Sequence, residues 1–496
     1  MLTEELSSSG CKRARIEMVA HVLVFPCPVQ GDINCMLYFA AGLLDAGLHV
    51  TFLHSDHNLR RLGLATATST SPRLRFLSVP DGLPDDHPRS AGDLVEFFNS
   101  LRTNTSVAYR ALLASLCPGA PSSIHNDKGF PPVTCVVADG MLPFAIDVAE
   151  ELGVPALAFR TASACSFLAY LSMPKLVELG EVPFPAGAGA GADLDAPVRG
   201  VPGMEGFLRR RDLPSFCRGR GHDPLLQIFS EVTAHSCKAR ALIFNTAASL
   251  ERSAVAHVLP RMRDVFAIGP LHAMFQAPAA GGALWREDSG CMAWLDGHAD
   301  RSVVYVSLGS LAVISLEQFT EFLSGLVGAG HPFLWVLRPD MVGASHSAVL
   351  QEAIEAAGRS KARVVDWAPQ RDVLRHRAVG CFLTHAGWNS TLECVTEGVP
   401  TVCWPFFADQ QTNSRFIDAV WGTGLDMKDV CDRAVVQKMV RQAMESGELR
   451  RSAQALARQV RRDIAEGGSS ATEFNRLITF INQLSLHATM SGSDKE

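Results

Sequence analysis

The feature that most restricts the fold is an alternation repeated along the chain: short β-branched or aromatic runs, each followed by a segment with helical spacing. The first series comprises VAHVLVF (19–25), HVTFL (49–53), RLRFLSV (73–79), VTCVVAD (133–139), PALAF (155–159) and ARALIFN (239–245). Strands that alternate with helices at this spacing predict a parallel, doubly wound α/β sheet. A second series, SVVYVSLG (302–309), PFLWVL (332–337), RVVDW (363–367), VGCFLTH (379–385) and TVCWP (401–405), predicts another. With 496 residues, 47% of them hydrophobic, the chain can fill two separate cores.

Between the two series, FQAPAAGGALWREDSG (275–290) is rich in Gly, Ala and Pro and has no period, so the linker is expected there. The expected division is a disordered leader at 1–17, with Met18 as the functional start, a first domain at 18–264 and a second at 265–468. SSATEFNRLITFINQL (469–484) opens with serines after Gly467 and Gly468, an N-cap signature, and predicts a closing helix before a disordered tail at 485–496. The run PAGAGAGADLDAP (185–197) reads as a mobile loop. Its Asp193 and Asp195 have a D-x-D spacing, but metal ligands need a rigid support and this pair hangs from a Gly/Ala tether. No metal site is expected.

The net charge of −6 argues against a nucleic-acid binder, which needs clustered cations to displace counterions. Arg209–Arg211 is too short a run to change this and reads as a solvated loop or a wall of a ligand site. Thirteen cysteines without paired spacing point to a reducing, cytoplasmic setting. Neither a signal peptide nor a membrane-spanning run is visible.

The chemistry concentrates in WAPQRDVLRHRAVGCFLTHAGWNSTLECVTEGVPTVCWPFFADQ, from Trp367 to Gln410. A buried strand should end at Thr384 and His385, turn through Gly387 and start a helix near Trp388 that stops at Gly398 before Pro400. Such a turn presents free N–H groups and the positive end of the helix dipole, which suits a phosphate. Asn389 and Ser390 lie in the first turn, at helical spacing from Glu393. One face therefore offers donors to phosphate and, a turn later, a carboxylate that can grip a vicinal diol, as a nucleotide ribose requires. Taken singly, Trp367, His385, Trp388 and Glu393 each have an ordinary structural explanation; together they weigh differently.

The segment resembles, nearly residue for residue, the 44-position signature box of plant family 1 UDP-dependent glycosyltransferases. The likeness extends from Val19 to about Leu484. It implies a GT-B architecture of two Rossmann-like domains facing a cleft, with the C-terminal helix crossing back to the first domain. It implies that Trp367 stacks on uracil and the Ala368 backbone hydrogen-bonds it, that Gln370 and Glu393 hold the ribose, and that His385, Asn389, Ser390 and Ser310 hold the diphosphate. Trp388, Asp409 and Gln410 would contact the sugar. Trp and Gln at the positions of Trp388 and Gln410 go with UDP-glucose as co-substrate. The implied chemistry is inverting and metal-independent, in a protein that is usually monomeric.

The resemblance also exposes a departure. The family's first strand runs into a turn similar to QGHINPM, whose histidine takes the acceptor's proton; here residues 30–36 read QGDINCM. Asp32 stands at the base's position, Cys35 at that of the usual proline, and Asp139 in VVADG matches the aspartate that orients the histidine. His21 is no substitute, because it lies roughly 16 Å from the strand's C-terminal end at about 3.3 Å per residue, and ligands bind beyond those ends. His54 and His57 follow the second strand on the correct edge. Asp32 could act as a base whose pKa is raised by Asp139, or an ionised carboxylic acid acceptor could need no base, or the chain could bind UDP-sugar without transferring it. HSDHNLRRL (54–62) and DGLPDDHPR (81–89) are similar to the branch containing iridoid glucosyltransferases, some of whose acceptors are acids. RTASACSFLAYLSMP (160–174) and GMEGFLRRRDLPSF (203–216) fall where relatives build the acceptor pocket, and Arg209–Arg211 could pair with an acid there.

Overall fold

The computed structural model describes residues 20–493, except 64–70, 88, 90, 118–129, 185–193, 219–222, 279–285, 342–349, 352–353, 355–357 and 359. The expected leader, Asp193 and the middle of the expected linker lie outside the described residues.

The first sheet holds seven strands: β1 (His21–Phe25), β2 (His49–Ser55), β3 (Leu74–Val79), β4 (Cys135–Asp139), β5 (Ala156–Arg160), β6 (Leu242–Phe244) and β7 (Val265–Ala267). All pairs are parallel, in the order β3-β2-β1-β4-β5-β6-β7. The second sheet holds β8 (Val303–Ser307), β9 (Phe333–Val336), β10 (Ala362–Val365), β11 (Val379–Thr384), β12 (Thr401–Cys403) and β13 (Gly424–Asp426). It is also parallel, in the order β10-β9-β8-β11-β12-β13. Apolar side chains cover both faces of each sheet, with Val22, Val24 and Val137 on one face of the first and Leu23, Val136 and Ala138 on the other.

This topology decides where ligands go. Strand order reverses between β1 and β4 in the first sheet and between β8 and β11 in the second, and open parallel sheets bind ligands outside the carboxyl ends of strands at such switch points. Phe25 is level with Ala138, and Ser307 with Thr384, so each switch point brings together the two loops that follow its strands.

Two expectations need correction. The boundary placed between residues 264 and 265 assigns β7 to the second domain, although β7 belongs to the first sheet, and the short helix Leu271–Met274 packs into the first core through Leu271. Neither β7 nor β13, each a three-residue strand at a sheet edge, is among the expected runs. The final helix spans Ser469–Ser493 rather than stopping at 484. It seats Phe474, Leu477 and Ile481 in the first core; Ser470 Oγ donates to Gly269 O at 2.6 Å, and Ser485 Oγ lies 2.8 Å from Thr134 Oγ1. The expected disordered tail is thus helical wherever it is described.

A buried ion cluster also ties the domains together. Lys428 Nζ lies 2.7 Å from Asp212 Oδ1 and 2.9 Å from Asp426 Oδ2, while Arg209 Nε reaches Asp212 Oδ2 at 3.0 Å. Burial alone would raise the Asp212 carboxyl; its pairs with Arg209 and Lys428 outweigh that and hold it below its usual value. Arg210 pairs with Glu181, and Arg211 with Asp195 and Asp429. The run Arg209–Arg211 is therefore structural, and its expected role as a pocket wall is not met.

Removing one partner of such a cluster strands a buried charge at a cost of about 3–5 kcal/mol. Lys428→Met should lower unfolding stability by that amount in a denaturant titration, and adding Asp212→Asn should cost less than the two single changes summed. Because Asp212 is held low, the cluster's contribution is present above about pH 4 and is lost as pH falls below it.

Candidate active site

A cavity of about 710 Å³ opens between the domains, lined by residues that follow both switch points. On the second-domain side, β11 ends at Thr384, the chain turns at Gly387, and a helix runs from Trp388 to Glu397. Gly398, at φ 71°, ends that helix in the left-handed region, where a residue without Cβ is unstrained.

Gln370, at the start of the helix Gln370–Arg375, donates from Nε2 to Glu393 Oε2 at 2.7 Å and to Ser390 Oγ at 2.9 Å. Tyr305 OH donates to Gln370 Oε1 at 3.3 Å. The three polar residues expected near a nucleotide thus form one hydrogen-bonded group. Burial raises the Glu393 carboxyl above its usual value, against the opposing pull of Gln370 and Arg371. Trp367, Ala368 and Ser310 line the same cavity.

His385 lies between Gly309 and Gly387, and a Cβ on either glycine would collide with its imidazole. Arg338 holds the Gly309 side of this cradle by donating to the carbonyls of Gly309 and Ala312. Burial, reinforced by Arg338 and opposed by the Ser307 backbone, lowers the His385 pKa to about 4, so the ring is neutral at pH 7. An approaching anion would raise that value and draw a proton to the ring.

Three contacts cross the cleft. Asn389 Nδ2 donates to Gly31 O at 2.7 Å, Trp388 Nε1 to Asn245 O at 2.8 Å, and Arg371 Nη1 to Tyr38 OH at 3.0 Å. Trp388 is 4% exposed; it lines the cavity with its ring edge, but its N–H is committed to the first domain. Gln410 Oε1 accepts from the Phe406 and Phe407 amides at 2.8 and 3.2 Å, which leaves its NH₂ for a ligand. Asp409 accepts from Asn413 Nδ2 at 2.9 Å, and burial raises its carboxyl to about 6.

On the first-domain side, Asp32 sits in the first turn of the helix Gln30–Asp45 and lines the cavity. Burial and repulsion from Asp139 push its carboxyl well above the usual range, against a hydrogen bond from Thr161 and the pull of Arg160. Asp139 does not line the cavity. It is fully buried at the end of β4, where its oxygens accept from the amides of Met141 at 2.9 Å and Cys27 at 3.3 Å.

The histidines are elsewhere. His21 is buried at the start of β1 between Pro131 O and Thr51 Oγ1, at 2.6 and 2.8 Å. His54 is buried against Phe52 and Phe76, with its pKa lowered to about 4 by burial, and neither it nor His57 lines the cavity. The segment from Arg160 does build the pocket: Arg160, Thr161, Ala162 and Tyr170 all line it. Arg160 itself went unread, because a cation ending an apolar strand carries no periodic signal. Among the described residues no group of three or more His, Cys, Asp or Glu side chains could hold a metal, and no helix is long and apolar enough to cross a membrane.

Comparison with known proteins agrees with this geometry. Residues 220–453 match the family model described as "UDP-glucoronosyl and UDP-glucosyl transferase". The chain is 43% identical to myricetin 3-O-rhamnoside 1,2-glucosyltransferase of Crocosmia x crocosmiiflora, over 97% of this chain and 99% of that one. It is 40% identical to 7-deoxyloganetic acid glucosyltransferase of Catharanthus roseus, over 94% and 98% of the respective chains. A solved structure of Os79 from O. sativa in complex with UDP superposes with a TM-score of 0.76 at 29% identity, covering 93% of this chain and 100% of that one. With its two Rossmann-like domains in the GT-B arrangement, the chain belongs to the plant family 1 UDP-dependent glycosyltransferases.

Proposed function

We propose that this protein transfers glucose from UDP-glucose, with inversion at the anomeric carbon, to a hydroxyl or carboxylate of a small lipophilic plant metabolite. The observation that carries the donor half is the hydrogen-bonded group Gln370–Glu393–Ser390 beside the His385 cradle at the second switch point. Uracil would stack on Trp367 and bond the Ala368 backbone, and the ribose diol would bridge Gln370 and Glu393. The diphosphate would meet His385, Ser310, Ser390 and the amides that open the helix at Trp388. Asn389 would contribute once its bond to Gly31 yields. Glucose would lie against Trp388, Asp409 and the Gln410 NH₂. Both relatives are glucosyltransferases of plant metabolites, which supports glucose as the sugar.

In the reaction, an acceptor oxygen attacks the anomeric carbon as the bond to the β-phosphate breaks, and the electron pair leaves on UDP. Donors already aimed at that oxygen stabilise the developing charge without reorganising, a contribution that is often the largest in catalysis. A hydroxyl acceptor must also lose a proton, and Asp32, across the cleft, is the group in position to take it. A positioned base is typically worth about 10²–10⁴ in rate, so exchanging histidine for aspartate should slow or narrow the reaction rather than abolish it.

Incubation with UDP-glucose and a mixed panel of phenols and carboxylic acids, read by mass, should yield glucosides; UDP affinity without product from any acceptor would instead indicate a binding or regulatory protein. Glu393→Ala should weaken UDP binding about 10- to 150-fold by calorimetry, the equivalent of losing charged hydrogen bonds worth about 1.5–3 kcal/mol. Gly309→Ala should displace His385 and lower kcat about 10²-fold with a smaller change in donor KM. With a hydroxyl acceptor, kcat/KM should rise with pH along a limb above the ordinary carboxylate range, because Asp32 is held high and must be ionised to act. Asp32→Asn should remove that limb.

A further inference from the structure

Arg160 ends β5 with its side chain 2% exposed, and it lines the acceptor end of the cavity. Its aliphatic stem and Nη1 lie over Gly140, where a Cβ would collide with Cδ. Nη1 points to Met141 Sδ at 3.5 Å, and Nε is buried without a partner. Among the described residues no oxygen accepts a hydrogen bond from this guanidinium. The Phe167 ring lies 5.3 Å from Cζ, but a buried cation with no oxygen partner is costly unless something else completes it.

The neighbouring carboxylates are otherwise engaged. Asp139 is tied to the amides of Cys27 and Met141, Asp409 to Asn413, and Glu251 to the amides of Ala164 and Cys165 at 3.0 and 2.8 Å. Asp32 is bonded to Thr161, the residue after Arg160. Arg160 and Asp32 line the same cavity, and the guanidinium lies close enough to Asp32 to oppose the rise of its carboxyl. Beside it, Tyr170 and Phe229 stack at 5.3 Å, and with Phe98 they form an apolar wall.

We infer that Arg160 is the acceptor-binding residue of this site, and that the acceptor it selects presents a carboxylate on a flat apolar body, which attacks the sugar as it stands. The inference rests on the transferase reading above and gives that reading its acceptor class. The carboxylate pairs with the Arg160 fork while the ring or chain behind it lies against Tyr170 and Phe229. One carboxylate oxygen forms the bond to the anomeric carbon, the bond to the β-phosphate breaks, and the acceptor's negative charge ends on UDP. No proton moves, so the histidine missing at Asp32 is not needed.

Asp32 then has a different part. The groups facing it are Asp139 from β4, Arg160 from β5, Asp409 across the cleft and the Cys27 thiol; burial and the two acids favour its protonated form, and Arg160 opposes them. A protonated Asp32 donates a hydrogen bond to the incoming carboxylate, whereas an ionised one repels it. Transfer to an acid should therefore fall as pH rises through the limb along which transfer to a hydroxyl increases.

The test compares cinnamic acid with cinnamyl alcohol, using UDP-glucose and the full-length protein. In the wild type, the acid should give an ester that mild alkali cleaves. Arg160→Met should lower kcat/KM for the acid at least 30-fold more than for the alcohol, with Arg160→Lys recovering part of the difference, and Asp32→Asn should spare the acid more than the alcohol. An equal loss on both acceptors, or an alkali-stable product formed only at hydroxyls, overturns the role of Arg160. Calorimetry with UDP on each variant keeps the two readings apart: if the wild type itself fails to bind UDP, the transferase reading falls, whereas intact UDP binding with no change in acid preference sinks only this inference.

Discussion

The hydrogen bond from Asn389 to the Gly31 carbonyl joins the starts of two helices, each at the switch point of its own sheet, and the site depends on that apposition. It sets the positive end of the helix at Trp388 against the turn that carries Asp32. Trp388 and Arg371 add bonds across the same gap, while the Asp212–Lys428 pair and the terminal helix fasten the domains at their margins. In the proposed reaction neither switch point alone would supply both the leaving-group site and the acceptor site, so transfer would need the two sheets to face each other.

The two walls of the cleft differ in how completely their polar groups are used. On the second-domain wall, Gln370, Glu393 and Ser390 already hold one another in place, and the His385 ring is wedged between glycines. This is preorganisation: donors and acceptors are oriented before a ligand arrives, so little ordering remains to oppose binding. On the first-domain wall, Arg160 is buried with its Nε lacking a hydrogen-bond partner, and Asp32 is held toward its protonated form by burial and by Asp139. Under the inferred role of Arg160, acceptor choice would rest on this wall.

Much of this was legible in the residues. The long strands showed in hydrophobic runs, and the helix at Trp388 in its Gly387 turn and Gly398 stop, because these signals are local. β7 and β13 were not legible, since three residues that complete a sheet edge have no pattern of their own. Arg209–Arg211 reads as exposed or substrate-facing, yet Asp212 and Asp426, one from each domain, both pair with Arg209. The Asp for His exchange at residue 32 was visible as a departure, but not its consequence, because that depends on Asp139 and Arg160.

By itself the sequence determined two parallel α/β units, the helix start at Trp388 and the residue types around it. These follow from spacing along one stretch of chain. Only the tertiary structure decided that Arg160 faces Asp32, that Asp139 stands behind it tied to two amides, and that Trp388 gives its N–H to the other domain. Apart from the local bond between Asp139 and Met141, those contacts join positions more than 100 residues apart, and strand order and register set them, which no local pattern encodes.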